Sequence, residues 1–374
     1  MATPSPVLEA PPEATEIEVS LFGPGVGECV VLHLGGGFWI VVDSCLDRTT
    51  RHPVALEYLR SLEVPVHTAL KRLILTHWHD DHIRGAAELL REATEAQLWI
   101  SGALSSIQFR SLVGLKHPSG GPRGVQEMDE LFRIMKSRKA EGAHRAGYNL
   151  KLANENTPLV RLAAPHAVEV TSLSPSSEST LLAVAEFARL LPKDAAPVND
   201  IRLGPNDAAV VLHVKVGERS VLLGSDLENR GDPRLGWRAI VDSAERPQDR
   251  AEVFKVAHHG SQTGHEPNVW TDMLVPDPCA LLTPYRSLIT PLPTEKDISR
   301  LASLTSKVFL TASPRTKEPP ARSRTVEKIV KDSVLGRTVR ESTVGHIRLR
   351  APIYGHADWR VELFNGAYQI TDVA

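Results

Sequence analysis

A mixed α/β fold, with strands and helices alternating around two sheets, is the class the sequence predicts, and three observations carry the prediction. Short β-type runs recur between stretches of helical spacing along the whole chain. The chain is 374 residues long with 42% hydrophobic and 24% charged residues, enough to bury one large core or two modest ones. Clusters of histidine and carboxylate follow the ends of apolar runs, where a layered α/β fold keeps its chemistry.

The elements follow in order. Residues 1–15 are rich in Pro, Ala and Glu, with no basic n-region and no apolar h-region, so they read as a flexible lead and not a signal peptide. A single domain is expected over 16–365. It opens as a β-meander of Ile17–Leu21, Cys29–Leu34 and Phe38–Val42, separated by the glycine-rich turns at Gly23-Pro24-Gly25 and Gly35-Gly36-Gly37. A helical segment over Val54–Leu62 leads to the apolar run Leu73–Leu75. Helical spacing resumes over Ile83–Ala93, with Asp80 or Asp81 placed as its cap. After a strand at Leu98–Ser101, residues 103–156 read as a helical insert, with eight Lys or Arg against four Asp or Glu between Arg110 and Arg145. Further strands are expected at Val168–Leu173, at Ala208–Val216 and Ser220–Leu223 as a hairpin around Gly217-Glu218, and at Val253–Ala257, Ala280–Thr283 and Val308–Thr311. Helices fall within 175–193, near 268–274 and over 295–304. Ile347–Arg350 and Trp359–Phe364 close the domain, and 366–374 form a tail.

Composition excludes several classes. A net charge of −2 argues against a surface that is basic throughout. Three scattered cysteines, Cys29, Cys45 and Cys279, supply neither a disulfide framework nor a Cys-rich zinc site and suit a reducing cytosol. No stretch reaches the roughly 18 apolar residues of a membrane span, so a cytoplasmic protein is expected.

The chemistry concentrates in Thr76-His77-Trp78-His79-Asp80-Asp81-His82, a His-x-His-x-Asp-His pattern straight after an apolar strand. Imidazole and carboxylate suit zinc and neighbouring transition metals, and one loop can aim several of them at a common point. His77 and His79 would serve one ion, and Asp81 and His82 a second roughly 3.5 to 4 Å away. Solvated histidines at a helix start are the plain alternative, but nothing structural requires three imidazoles within six residues. Two later strands end in further candidates: Val221–Leu223 leads to Asp226, and Phe254–Ala257 leads to His258 and His259. Neighbours on a strand point to opposite faces, so one of the two histidines is expected as a direct ligand.

These segments, in this order, resemble the metallo-β-lactamase superfamily, and within it the ComEC-like branch, the hydrolase domain of DNA-uptake competence proteins. Asp43 at a strand end, Gly23–Val31, Asn206-Asp207, the His-His-Gly-Ser at His258–Ser261 and Gly345-His346-Ile347 carry the likeness further, over about Ile17 to Phe364. The resemblance implies a four-layer αββα sandwich with a metal site along one edge. It implies His77, His79, Asp81 and His82 as ligands, Asp226 as the carboxylate between two ions, and one of His258 and His259 as a ligand or acid. Asp43 would orient the ligand loop and Asn206 would lie at the site edge, with Ser261 as a substrate contact. The chain departs from the family in three places. No histidine ligand stands out between His82 and Asp226, since His117, His144 and His166 read as ordinary loop residues. Ser225-Asp226 replaces Gly-Asp, and Leu292-Pro293 replaces His-Pro.

One or two zinc ions, or manganese, would then generate hydroxide at neutral pH, with Asp81, Asp226, His258 and His259 around the reacting group. The basic insert, with Arg133, Lys136 and Lys139 as candidate phosphate contacts, and ten basic against four acidic residues between Arg315 and Arg350, suit a polyanion. The branch implies a phosphodiesterase or nuclease acting on DNA or RNA. Two other readings stay open: hydrolysis of a small carbonyl ester, lactone or thioester, which predicts a narrow apolar pocket, and a catalytically weak binding or effector module.

Overall fold

A computed structural model describes residues 10–24, 27–115, 123–140, 150–191, 206–287, 291–314 and 344–370. His117, His144 and the basic stretch 315–343 lie outside the described residues. In the first part of the chain run β1 (Glu16–Gly23), β2 (Cys29–His33), β3 (Trp39–Val42), β4 (Leu70–Leu75), β5 (Gln97–Ser101) and β6 (Lys151–Ala153). They are followed by β7 (Thr157–Leu162), β8 (Val168–Ser172), β9 (Leu212–Val216), β10 (Arg219–Leu223), β11 (Ala251–Lys255), β12 (Leu274–Leu282) and β13 (Val308–Leu310). The last strands are β14 (Gly345–Pro352), β15 (Arg360–Phe364) and β16 (Tyr368–Gln369). Two eight-stranded sheets result, in the orders β15-β14-β1-β2-β3-β4-β5-β6 and β16-β13-β12-β11-β10-β9-β8-β7.

Period-two patterning decides how the sheets stack. In β1, Ile17, Val19 and Leu21 join Leu32, Ile40, Ile74, Val214, Val221 and Ile347 in the seam between the sheets. The opposite side of the first sheet packs under Leu56, Leu59, Leu89, Phe109 and Leu131 of the helices that cover it. The second sheet is covered in the same way by Trp237, Met273 and Leu301. Helix, sheet, sheet, helix is the four-layer αββα sandwich expected from the sequence, and each fully buried Leu or Ile side chain stabilises it by about 1.5–3 kcal/mol. Where β1 turns a charge to its outer face, the charge is matched: Glu18, fully buried, accepts from Tyr58 Oη and Arg350 Nε, both at 2.7 Å.

Parallel pairing runs through β3, β4, β5 and β6 in one sheet and β10, β11, β12 and β13 in the other. The C-terminal ends of β3, β4, β10 and β11 lead directly into the candidate ligand segments. Among the described residues no helix is long and apolar enough to cross a membrane.

Three local differences from the sequence reading have clear causes. The helix expected over Ile83–Ala93 is split into Asp80–Ile83 and Ala86–Glu92, because Gly85 takes φ +86° where an added Cβ would strike the Leu46 side chain. Asp80 does not cap either piece. Its Oδ1 accepts the backbone N–H of Gly124 at 2.6 Å, at the start of the helix Arg123–Ala140. Of the stretch read as a helical insert, 107–114 and 123–140 are helical, whereas Lys151–Ala153 is an edge strand.

Candidate metal centre

Four strand ends build the site from the two sheets. Residues 76–82 leave β4, Asp43 follows β3, Asp226 follows β10 and His259 follows β11. Asp43, Ser225, His258 and His259 all have φ between 46° and 60°. Such left-handed backbone in non-glycine residues costs energy and persists where surrounding contacts fix it. At Ser225 the contact is visible: its hydroxyl donates to Thr76 Oγ1 at 2.7 Å, which accounts for serine at a position whose backbone favours glycine.

The cluster itself is tight. One ligand atom each from Asp81, His82, Asp226 and His259 lie within 4.8 Å of one another. Asp226 Oδ2 is 3.3 Å from both His82 Nε2 and His259 Nε2, and Asp81 Oδ2 is 3.5 Å from His259 Nε2. His77 lies beside it in a second group with Asp43 and His82, its ring centroid 4.2 Å from that of His82 and 4.7 Å from that of His79, which is in neither group.

Hydrogen bonding on the far side of each ring sets its tautomer. Asp43 accepts the backbone N–H and hydroxyl of Thr76 and the Nδ1–H of His82, each at 2.8 Å. Because the Thr76 proton goes to Asp43, the Thr76 oxygen is left to accept from His77 Nδ1 at 2.9 Å. His259 Nδ1–H donates to the carbonyl of Thr283 at 2.9 Å. All three imidazoles therefore turn Nε2 inward, the arrangement by which outer partners orient metal-binding histidines. Asp43 also lies near His77 and His82 in a possible ligand group, but both of its oxygens are already engaged, so it acts as an orienting support.

Whether the residues fit a cation is decided by what the inward atoms touch. His77 Nε2 and His82 Nε2 are buried and have no hydrogen-bond partner. Buried polar atoms are rarely left so, and the ligand atoms of Asp81, His82, Asp226 and His259, all within 4.8 Å of one another, fit a divalent ion. Without one, the charges lean on each other. Burial opposes the His259 cation, yet Asp226 and Asp81 push its pKa up to about 10. Burial likewise opposes the His82 cation, and Asp226, Asp81 and Asp43 raise it well above the usual range. For Asp226, burial works against the anion, but His259 and His82 hold it well below the ordinary carboxylate value. His77 moves the other way, lowered by burial and by its imidazole neighbours.

The histidine pair separates in a way strand alternation does not describe. Both residues sit on a short 3-10 turn beyond β11. His259 is buried in the cluster, whereas the His258 side chain is one-fifth exposed at the cleft, with Nδ1 2.7 Å from Thr263 Oγ1 and Nε2 3.4 Å from Asn206 Nδ2.

Sequence reasoning missed two buried charges beneath the cluster. Lys255, on β11, pairs closely with Glu28 Oε1, donates to the Ser225 carbonyl at 2.9 Å and lies 3.7 Å from Asp226 Oδ1. Both Lys255 and Glu28 are at most 2% exposed. A lysine inside the apolar run Val253–Ala257 was the available signal, since a buried ammonium requires an anion. Glu28 is brought there by its N–H bond to Asp81 O at 2.8 Å. This approach requires Gly27, because a Cβ there would lie 1.9 Å from that same oxygen.

Above the cluster lies an open cleft of about 770 Å³, whose wall includes Arg48, Arg84, Tyr285 and Arg286 as well as His79, Asp81, Asp226 and His258. Tyr285 is 44% exposed and stacks on His259, with centroids 5.4 Å apart. The three residues expected as phosphate contacts are elsewhere. Arg133, Lys136 and Lys139 are exposed on the helix Arg123–Ala140 and do not line the cleft, and Arg133 pairs with Asp129 and Glu130. Local charge counting pointed to them because it cannot see which face a helix turns to the site. Ser261 also stands off the cleft, its hydroxyl accepting the Thr263 N–H at 3.3 Å. His166 is remote, bonded to Leu34 O at 2.8 Å.

Residues 22–133 match the family model of the metallo-beta-lactamase superfamily. Among solved structures the chain is similar to the metallo-beta-lactamase fold protein YhfI from Bacillus subtilis, at 12% identity and TM-score 0.41, covering 79% of this chain and 95% of that one. It is similar to the MIM-2 metallo-beta-lactamase at 14% identity and TM-score 0.33, covering 63% and 72%. A metallo-beta-lactamase from Cronobacter sakazakii with a HARLDQ motif is similar at 12% identity and TM-score 0.34, covering 63% and 76%. No curated protein matches the sequence.

Proposed function

We propose that this chain is a metal-dependent hydrolase of phosphodiesters, with a nucleic-acid strand as substrate, in the manner of the ComEC-like branch. The observation that carries the phosphodiester reading is the arginine rim. Arg48, Arg84 and Arg286 stand around a cleft whose floor is the imidazole and carboxylate cluster, and guanidinium forks match phosphate oxygens bidentately. With a net charge of only −2, attraction for a polyanion is supplied locally by this rim.

Zinc or manganese held by the cluster would acidify water and polarise the scissile group. The chain's own residues do the rest. Asp43, Thr76 and the Thr283 carbonyl hold the His82, His77 and His259 rings in the ligand tautomer. Lys255 and Glu28 balance charge beneath Asp226. His258, steadied by Thr263, is placed at the cleft to hand a proton to the leaving oxygen.

Hydrolysis of a small carbonyl ester would use the same cluster but calls for a narrow apolar pocket. At about 770 Å³ this cleft is within the roughly 300–1,000 Å³ of small-molecule sites, so its charged walls, and not its size, favour the phosphodiester. The test is hydrolysis of bis(p-nitrophenyl) phosphate, single- and double-stranded DNA, RNA and an ester and lactone panel by wild type and by His79→Ala with Asp81→Ala. Phosphodiester cleavage lost in the folded variant is the expected result. Activity confined to esters, or full activity in the variant, overturns the proposal.

A further inference from the structure

The cleft wall carries an aromatic side chain for which the cluster and the arginine rim give no role. Tyr285 stands three residues beyond β12, and the parallel pairing of β12 with β11 brings it to the rim where His259 follows β11. Its backbone is clamped on both sides: the N–H donates to Leu292 O and the carbonyl accepts from the Leu292 N–H, each at 2.9 Å. His259 Nδ1–H donates to the Thr283 carbonyl, two residues before Tyr285. Both rings are thus referenced to one short stretch of chain, and they stack with an interplanar angle of 30°.

One face of the phenol ring lies on His259, and the rest of the ring is open to the cleft. The next residue is a cation, Arg286, whose Nε and Nη2 donate to the Ser313 carbonyl at 3.2 Å each. Arg48 stands on the same wall. A flat ring set among guanidinium groups is the combination that holds unpaired strands, because each nucleotide offers a π-face and an anion together. Bases inside a duplex are already stacked and cannot reach such a ring without being extruded.

We propose that Tyr285 is a base-stacking residue: the base beside the reacting phosphodiester lies on its open face, with Arg286 and Arg48 on the adjoining phosphates, so the cleft selects an unpaired strand over a duplex. The inference rests on the phosphodiester reading above and goes beyond it in naming the side chain that recognises the base. Every base has a π-face, so the selection is for an unpaired base and not for a sequence.

The test is cleavage of a homopolymer strand, DNA or RNA as the wild type accepts, that carries one abasic residue. Cutting at every bond is resolved on a denaturing gel, with the duplex of the intact strand alongside. Wild type is expected to cut about tenfold less at the one bond lying at a fixed offset from the abasic residue, and to cut the duplex slower by at least as much. Tyr285→Ala is expected to lose the contrast at that bond and to raise KM on the intact strand by about tenfold. Tyr285→Phe and Tyr285→Trp keep a π-face and are expected to keep both the contrast and the KM, which carries the test if the alanine variant folds poorly. A merely structural role would lower cutting at all bonds alike and leave the contrast in place. Even cutting by the wild type, a contrast that survives in Tyr285→Ala, or a duplex cut as fast as the strand overturns the assignment alone. A wild type that cuts neither DNA nor RNA overturns the phosphodiester reading with it.

Discussion

Replacing Lys255 by methionine keeps most of the side-chain volume and removes one charge from a place where charge is expensive. The Lys255 side chain is 2% exposed and those of its partners Glu28 and Asp226 are 3% and 4% exposed. The Glu28 carboxylate would then be left with His82 Nδ1 and His259 Nδ1, each at 3.8 Å and each already bonded elsewhere. Removing one member of a buried pair in this way costs about 3–5 kcal/mol. For 374 residues, an unfolding entropy of about 2.1 cal/mol/K per residue gives about 0.8 kcal/mol/K in all, so the midpoint should fall by about 4–6 °C. Calorimetry of the metal-depleted protein measures this. Glu28→Gln combined with Lys255→Met removes both charges and is expected to recover most of the loss, a coupling of about 2 kcal/mol or more. If Lys255→Met loses less than about 1 kcal/mol, or if the double variant is as unstable as the sum of the singles, the charge-balance argument is wrong.

Other consequences can be measured separately. Arg84→Glu or Arg286→Glu should each reduce the slope of log affinity against log salt for a DNA strand by about one, whereas charge reversal at Arg133, Lys136 and Lys139 should leave it unchanged; the opposite pattern would move the binding face to the helix Arg123–Ala140. Metal uptake near pH 7 should release about two protons, since His82 and His259 are both held in the charged form, and calorimetry in buffers of differing ionisation enthalpy counts them. The metal-depleted protein should also show a signed pH dependence of stability. His259, raised to about 10 when folded, contributes fully below its unfolded value of about 6.5, and that contribution is lost as pH rises towards 10. Asp226, depressed when folded, contributes above about pH 3.9 and loses its contribution as pH falls through the lowered value. Flat stability between pH 6 and 10 in denaturant melts would contradict the His259 assignment.

Contiguity explains which parts of the site could be read in advance. His77, His79, Asp81 and His82 crowd one loop after an apolar strand, and a dense ligand pattern of that kind has few other uses. Asp226 and His259 showed as polar residues closing apolar runs. The choice between His258 and His259 depended on a 3-10 turn and two left-handed residues, which strand periodicity cannot represent. Glu28 with Lys255, and Arg48 with Arg84 and Arg286, are distant in sequence and meet only through sheet order, so neither the ion pair nor the rim leaves a local trace. Short edges were also hard to see. In β7, Pro158 interrupts the pattern of a strand, as expected where an N–H is not needed. The helix expected near 295–304 is found at Glu295–Leu304, where Thr294 and Asp297 form a capping box at its start.

The placement of the ligands on both sheets has a mechanical side. Asp81 and His82 belong to a loop of one layer, and Asp226 and His259 to loops of the other, so an ion gripped by all four rivets the sandwich along one rim. Chelation would then unfasten that rim first, and amide hydrogens near the ends of β4 and β10 would exchange faster while the far rim, closed by Arg219 on the carbonyls of Pro352, Gly355 and Ala357, stays shut.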